Sequence, residues 1–252
     1  MSVSGLQFDN LDLRETVATL RGILARRGRG YVVTPNIDHV VRYQKHVGFR
    51  ASYDEAALRL ADGVPLVWAS RLLGQPLKAR VAGSDLLPAL CEMAAGEGYT
   101  VFLCGGASGV ADKAAVALAR RFPGLRVVGT YTPPEMFEYE GLQAEIAVRA
   151  VNEAKPDILF VALGSPKQEL WTHRNWDRLQ VTVAVCCGAA LDYAAGVKSR
   201  APLWLQRVGL EWLWRLAHEP RRLWRRYLVQ DAAFLGIFMK EWWGRRTRTW
   251  GR

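Results

Sequence analysis

The sequence predicts an α/β fold, a Rossmann-like and mainly parallel sheet with helices on both faces, followed by a helical C-terminal appendage. Three observations predict it. From residue 99 onward, near-continuous apolar runs alternate with segments of helical period, as in parallel strands covered on both sides. Each apolar run ends in a short loop of small or polar residues. Residues 200–252 then change character: they hold twelve Lys/Arg against four acids, which is +8 of the chain's +10, and seven of the ten tryptophans. The expected division is a body over 1–199 and a basic, Trp-rich, membrane-associating helical appendage over 200–252.

The elements follow in order. LDLRETVATLRGILARRG places Leu13, Val17, Leu20 and Leu24 on one helical face and stops at Gly28. YVVTPN is a strand running into a loop. IDHVVRYQKH and SYDEAALRLADG are expected as two further helices, the second closed by Asp62-Gly63. GSDLLPALCEMAAGEG is a helix that Ser84 or Asp85 could cap. YTVFLCGG then reads as a strand, VADKAAVALARRFPG as a helix, LRVVGTY as a strand and GLQAEIAVRAVNEAKP as a helix. DILFVALGSPKQE and VTVAVCCGAALD are again strands entering loops.

A chain of 252 residues, half of them hydrophobic, can bury one sizeable core, which excludes disorder as the default. Its start, MSVSGLQFDNLDLRE, lacks the charged beginning and apolar run of a secretory signal. The longest late apolar run, AAFLGIFM at 232–239, falls short of the roughly 20 residues that span a bilayer, so contact with a membrane is expected to be peripheral. Cys91, Cys104, Cys186 and Cys187 show no CxxC or Cys/His metal spacing, which argues against zinc or a disulfide framework and for a reducing compartment.

In a parallel sheet, ligands bind beyond the carboxyl ends of the strands, which singles out TPN, CGGASG, GSPKQE and CGAALDYAAG. Gly105, Gly106 and Gly109 free backbone N–H groups at a helix start for a phosphate, or else make only a tight turn. Ala107 departs from GxGxxG, so a dinucleotide is not indicated. In GSPKQE, Gly164 turns the backbone, Pro166 sets the first helical turn, and Lys167 and Gln168 bring a cation and an amide to one helix start. The plainer reading of that stretch is a solvated helix. Asp62 is a candidate general base or an Asp-Gly turn, Thr34 and Asn36 are polar strand-end groups or caps, and Arg80 is a phosphate contact or merely solvated. His39, His46, His173 and His218 are scattered and read as solvated or capping groups. The sequence has no GxSxG, HExxH, GxxxxGK[ST] or Asp-x-Asp pattern, so no metal and no cofactor is expected.

Taken in order, TPN at 34–36, LADG at 60–63, GSDL at 83–86, GSPKQE at 164–169, GAALDYAAG at 188–196, RAPLWLQRVGLEWLWRL at 200–216 and EPRRLWRRYL at 219–228 resemble the WecG/TagA/CpsF family, glycosyltransferase family 26. The resemblance implies an inverting, metal-independent transferase that moves a sugar from a UDP-sugar to a polyprenyl-diphosphate-linked sugar at the cytoplasmic face of the membrane, in cell-surface polysaccharide biosynthesis. It places the base at Asp62, substrate contacts at Thr34, Asn36, Arg80 and Gln168, and the appendage arginines at Arg215, Arg222 and Arg225. Asp192, in GAALDYAAG, joins the substrate-binding candidates. IDHVV after TPN and Cys186-Cys187 before GAALDYAAG depart from the family's usual residues.

Along a helix over 221–228, Arg221, Arg222, Arg225 and Arg226 gather on one arc, with Leu223, Trp224, Tyr227 and Leu228 opposite. That face suits an anionic membrane surface and a diphosphate. Two rivals remain at this level. A nucleic-acid-binding protein would use the same Arg and Trp residues but leaves the strand-end loops without a task, and no nucleic-acid partner is expected. A sugar-nucleotide oxidoreductase needs the glycine fingerprint that Ala107 spoils.

Overall fold

The computed structural model describes the chain except Glu135, Arg226, residues 228–230 and 250–252, and of Arg207, Arg222 and residues 247–249 it describes the backbone alone. It opens with an antiparallel pair, β1 (Ser2–Val3) and β2 (Leu6–Gln7). Their turn residues Ser4 and Gly5 both have positive φ, 52° and 79°, the pattern of a two-residue hairpin turn. Helix α1 (Leu13–Ala25) begins in a reciprocal cap between Asp12 and Glu15. Then come β3 (Gly30–Val33), α2 (Ile37–Lys45), α3 (Val47–Asp54), β4 (Leu58–Arg59), α4 (Val64–Leu72) and α5 (Gly83–Glu97). The regular alternation follows: β5 (Thr100–Gly105), α6 (Val110–Arg121), β6 (Arg126–Tyr131), α7 (Leu142–Ala154), β7 (Ile158–Ala162), α8 (Lys167–Arg174), β8 (Val183–Cys186) and α9 (Ala190–Ala194). Helices α10 (Leu203–Arg207), α11 (Glu211–His218), α12 (Pro220–Arg225) and α13 (Ala232–Thr249) complete the chain.

Strands β3 to β8 form one parallel sheet in the order β4-β3-β8-β7-β5-β6. Because successive strand residues point to opposite faces, each central strand feeds two cores. Tyr31, Val33, Phe102, Cys104, Leu159, Val161, Ala184 and Cys186 face one, with α2, α3, α7, α8 and α13. Val32, Val101, Leu103, Ile158, Phe160, Val183 and Val185 face the other, with α1, α5, α6 and α9. The continuous apolar strands of the sequence therefore mark a sheet covered on both faces, as expected.

Two local expectations are corrected. SYDEAALRLADG does not run as a helix to Asp62: α3 stops at Asp54 and the chain turns into β4, pairing Leu58 with Val32. Ala57 N donates to Tyr31 O and Leu60 N to Val33 O, so sheet pairing satisfies the backbone that a longer helix would have used. Gly30 makes room, since a Cβ there would stand 2.5 Å from the Ala57 Cβ. Neither Ser84 nor Asp85 caps α5, whose N-cap is Ala82. Asp85 is spent on arginines instead: its Oδ2 accepts from Arg80 at 2.9 Å and its Oδ1 from Arg200 at 2.5 Å.

The C-terminal segment packs on the body. Phe234 and Phe238, one turn apart on α13, are buried in the core beside α2. Glu241 accepts from Ser4 N at 2.5 Å, and Arg245 donates to the carbonyls of Leu73 and Ser2 at 3.2 and 3.3 Å. On the other side of α13, Leu235, Met239 and Trp243 are exposed at four-residue spacing. No helix among the described residues is long and apolar enough to cross a membrane.

Candidate active site

A cavity of about 1070 Å³ lies at the carboxyl ends of the sheet. Its wall takes residues from the loop after every strand of that sheet: Thr34, Asp62, Gly106, Thr132, Gly164 and Gly188. The far wall is built from the last quarter of the chain, by Gln206, Glu211, Trp212, Arg215, Tyr227 and Leu235.

Asp62 follows β4 and precedes Gly63, whose φ of 153° starts α4. Its amide donates to Pro35 O at 2.8 Å, while Val81 N donates to Ala61 O at 2.8 Å. The residue is thus pinned between the TPN loop and the strand end. Its carboxylate makes no hydrogen bond to a described residue and opens on the cavity, yet it is enclosed by protein. Burial raises its pKa to about 6, Glu211 and Asp85 adding to the rise while Arg80 and Arg215 oppose it. Such a carboxyl is ionised at neutral pH and more basic than an ordinary one, which suits proton abstraction from a hydroxyl.

Seven charged side chains hold the appendage beside it. Arg80 donates to Glu211 at 2.8 Å and to Asp85 at 2.9 Å, and Arg200 lies 2.5 Å from Asp85 and 3.7 Å from Glu211. Lys198 bridges Asp192 at 3.1 Å and Glu219 at 3.5 Å. Glu211 and Glu219 belong to the C-terminal segment and Asp85 and Asp192 to the body, so the two are clasped at the cavity rim. Gly209 permits the approach: a Cβ there would sit 3.0 Å from the Val64 Cβ and 3.4 Å from the Trp68 ring. Arg215 reaches the cavity, and its Nε has no hydrogen-bond partner among the described residues.

The structure brings most of the sequence candidates together. Thr34, Asn36, Asp62, Arg80, Gly106, Gly164, Lys167, Gln168, Asp192 and Arg215 all line the cavity. Several also have structural tasks. Thr34 Oγ1 donates to Cys186 O at 3.2 Å, Asn36 Oδ1 caps α2 by accepting from His39 N, and Lys167 Nζ donates to Phe137 O. Gly105, Pro166 and Arg225 are outside the lining. Gly105 lets β5 and β7 close on each other, since a Cβ would stand 2.4 Å from the Ala162 carbonyl, and Pro166 is the N-cap of α8. Arg225 is exposed, and the side chain of Arg222 lies outside the described residues, as do Arg226 and Leu228 of the proposed two-faced helix. Leu223 on that helix is buried in the protein, not presented outward, while Trp224 is exposed.

His39 corrects the sequence reading. It is neither solvated nor a cap but a buried part of the cavity wall, its Nδ1 2.8 Å from Tyr53 Oη. Glu211, Tyr193 and Tyr227 are further lining residues that sequence reasoning missed. The signal for His39 lay in its place three residues after Asn36, on the first turn of a helix whose start faces the strand ends. Among the described residues no group of His, Cys, Asp and Glu is placed to hold a metal ion, and the four cysteines are free and buried.

Comparison with known sequences agrees with this geometry. The model of the Glycosyl transferase WecG/TagA/CpsF family matches residues 1–248. The N-acetylglucosaminyldiphosphoundecaprenol N-acetyl-beta-D-mannosaminyltransferase of Staphylococcus aureus strain MW2 is 29% identical over 227 residues, covering 89% of this chain and 87% of the relative. The protein of the same description from strain MRSA252 is 30% identical over 229 residues, with 89% and 87% covered. With a match that takes in both the sheet and the segment closing its cavity, the chain belongs to the WecG/TagA/CpsF family and is a glycosyltransferase.

Proposed function

We propose that this enzyme transfers a sugar from a UDP-sugar to a sugar carried on a polyprenyl diphosphate, with inversion and without a metal ion. The observation that carries the reading is the Asp62 carboxylate, with no hydrogen bond to a described residue, set in one cavity with Arg80 and Arg215. Asp62 takes the proton from the acceptor hydroxyl as that oxygen attacks the anomeric carbon, and the nucleoside diphosphate leaves from the opposite face. One base suffices for an inverting displacement. Arg215, whose Nε has no partner among the described residues, then stabilises the leaving charge in place of a metal, which a guanidinium does through paired hydrogen bonds.

The strand-end loops form the donor side, with Thr34, Asn36, Gly106, Gly164, Lys167, Gln168 and Asp192 as its contacts. Arg215, beside Asp62, serves the leaving diphosphate, and Arg222 and Arg225 the lipid-linked acceptor. The relatives' description names an N-acetylglucosaminyl-diphosphoundecaprenol acceptor and an N-acetylmannosaminyl group, and the same substrate class fits here. The exposed Leu203, Trp204, Trp224, Met239 and Trp243, together with the +8 charge of residues 200–252, support peripheral attachment to an anionic membrane at its inner face. The test is incubation of the purified protein with a panel of UDP-sugars and synthetic polyprenyl-diphosphate sugars, with products read by mass spectrometry. Transfer from none of them to any such acceptor would sink the reading.

A further inference from the structure

Next to Gln168, which lines the cavity, stands a carboxylate that the transfer step does not use. Glu169 stands on the first turn of α8, is fully buried, and has Oε2 without a hydrogen-bond partner among the described residues. Burying an acid with an oxygen unsatisfied is costly, so a compensating role is expected. The reciprocal cap between a helix's third residue and its N-cap backbone N–H is closed to it, because the N-cap here is Pro166. Favourable placement at a helix start would be met equally by an exposed acid.

What Glu169 does contact is Gln168. Gln168 Nε2 donates to Glu169 Oε1 at 2.7 Å, and Gln168 Oε1 accepts from Gly188 N at 3.1 Å. The amide is therefore held from both ends. Turned over, its oxygen would meet the carboxylate and its NH2 would meet the Gly188 N–H, two repulsive contacts at once. In the held orientation Gln168 ties the loop after β7 to the loop after β8, both of which line the cavity, and keeps a second amide N–H uncommitted for cavity contents. The charged and titratable groups around Glu169 are few: Arg42 and Asp38 of α2, themselves paired at 2.8 Å, Tyr53 of α3, and Cys186 of β8. Burial pushes the Glu169 carboxyl up to about 7, against the hydrogen bond from Gln168 and the smaller influences of its own backbone N–H, the Ser165 hydroxyl and Arg42.

We propose that Glu169 is a positioning residue, which fixes the Gln168 amide so that the two strand-end loops on the donor side of the cavity are locked in register. The proposal rests on reading that side as the donor site, and its test separates the two. Glu169→Gln keeps an acceptor oxygen for Gln168, whereas Glu169→Leu keeps the bulk and removes the acceptor. Hydrogen exchange at the Gly188 amide, measured without substrate, is expected to stay slow in the first variant and to quicken about tenfold or more in the second. The donor KM is expected to rise about tenfold in Glu169→Leu with a smaller change in kcat, and to return near the wild-type value in Glu169→Gln. Circular dichroism checks that both variants are folded. Unchanged exchange and KM in Glu169→Leu, or equal damage from both folded variants, would overturn the proposal. A wild-type protein that transfers no sugar would instead sink the donor-site reading, and the exchange measurement would still decide the clasp.

Discussion

Replacing Asp62 by asparagine tests the base and its environment in one experiment. The carboxyl has a pKa of about 6 in the folded protein against an ordinary 3.8, raised chiefly by burial. The sign follows directly. Between those two values the folded chain holds a proton that the unfolded chain has released, so stability falls as pH rises through that window, and the cost is complete above about pH 7. A difference of about two pKa units at about 1.4 kcal/mol each caps that cost near 3 kcal/mol. The neutral amide of the variant leaves no charge to bury. Asp62→Asn is therefore expected to be more stable than the wild type at pH 8, by up to about 3 kcal/mol, and to differ from it by well under about 1 kcal/mol at pH 4. Transfer is expected to drop by about 10²- to 10⁴-fold, the usual share of a general base, while UDP still binds. Urea unfolding at the two pH values gives the first quantity, and product formation by mass spectrometry gives the second. Wild-type transfer rates in the variant would remove Asp62 as the base. A variant less stable than wild type at pH 8 would show that the carboxylate is held by contacts outweighing its burial.

Other consequences are as concrete. Arg215→Ala is expected to lower kcat by about 10- to 100-fold, with Arg215→Lys restoring only part of it, because an ammonium lacks the planar fork; equal activity of Lys and Arg would refute a paired contact with a diphosphate. Trp204→Glu combined with Trp224→Glu, both at exposed positions, should release the protein from anionic vesicles in a flotation assay while its melting temperature stays near wild type; undiminished flotation would reject this surface. Gly83→Ala should cost about 1 to 3 kcal/mol in denaturant unfolding, since the new Cβ would stand 2.8 Å from the Cys187 backbone, and a neutral result would mean that the loop after β8 shifts freely. Transfer should survive excess chelator, and strict dependence on a divalent ion would count against arginine-assisted departure of the leaving group.

The helical and strand periods of residues 99–195 were readable because the central strands β5, β7 and β8 are buried on both faces and the helices between them on one. The reading failed where local pattern and long-range pairing disagree. Residues 52–63 have the composition of a helix, and only the neighbouring β3, opened by Gly30, turns part of them into a strand. Charge told a similar story. Sequence could count the basic residues after position 199, but not that Arg80, Asp85, Arg200 and Glu211 would interlock.

By itself, the sequence determined the layered α/β architecture, the strand-end loops that carry polar groups, and the concentration of arginine and tryptophan in the last fifty residues. These follow from periodicity and composition, which are local properties of the chain. Only the tertiary structure decided that Asp62 follows a strand, that His39 and Glu211 join the cavity wall, and that Phe234 and Phe238 anchor the final helix in the core. Each of those outcomes depends on residues far apart in sequence competing for the same space and the same hydrogen-bonding groups, and that competition is settled when the sheet assembles and the C-terminal segment packs over the carboxyl ends of its strands and against α2.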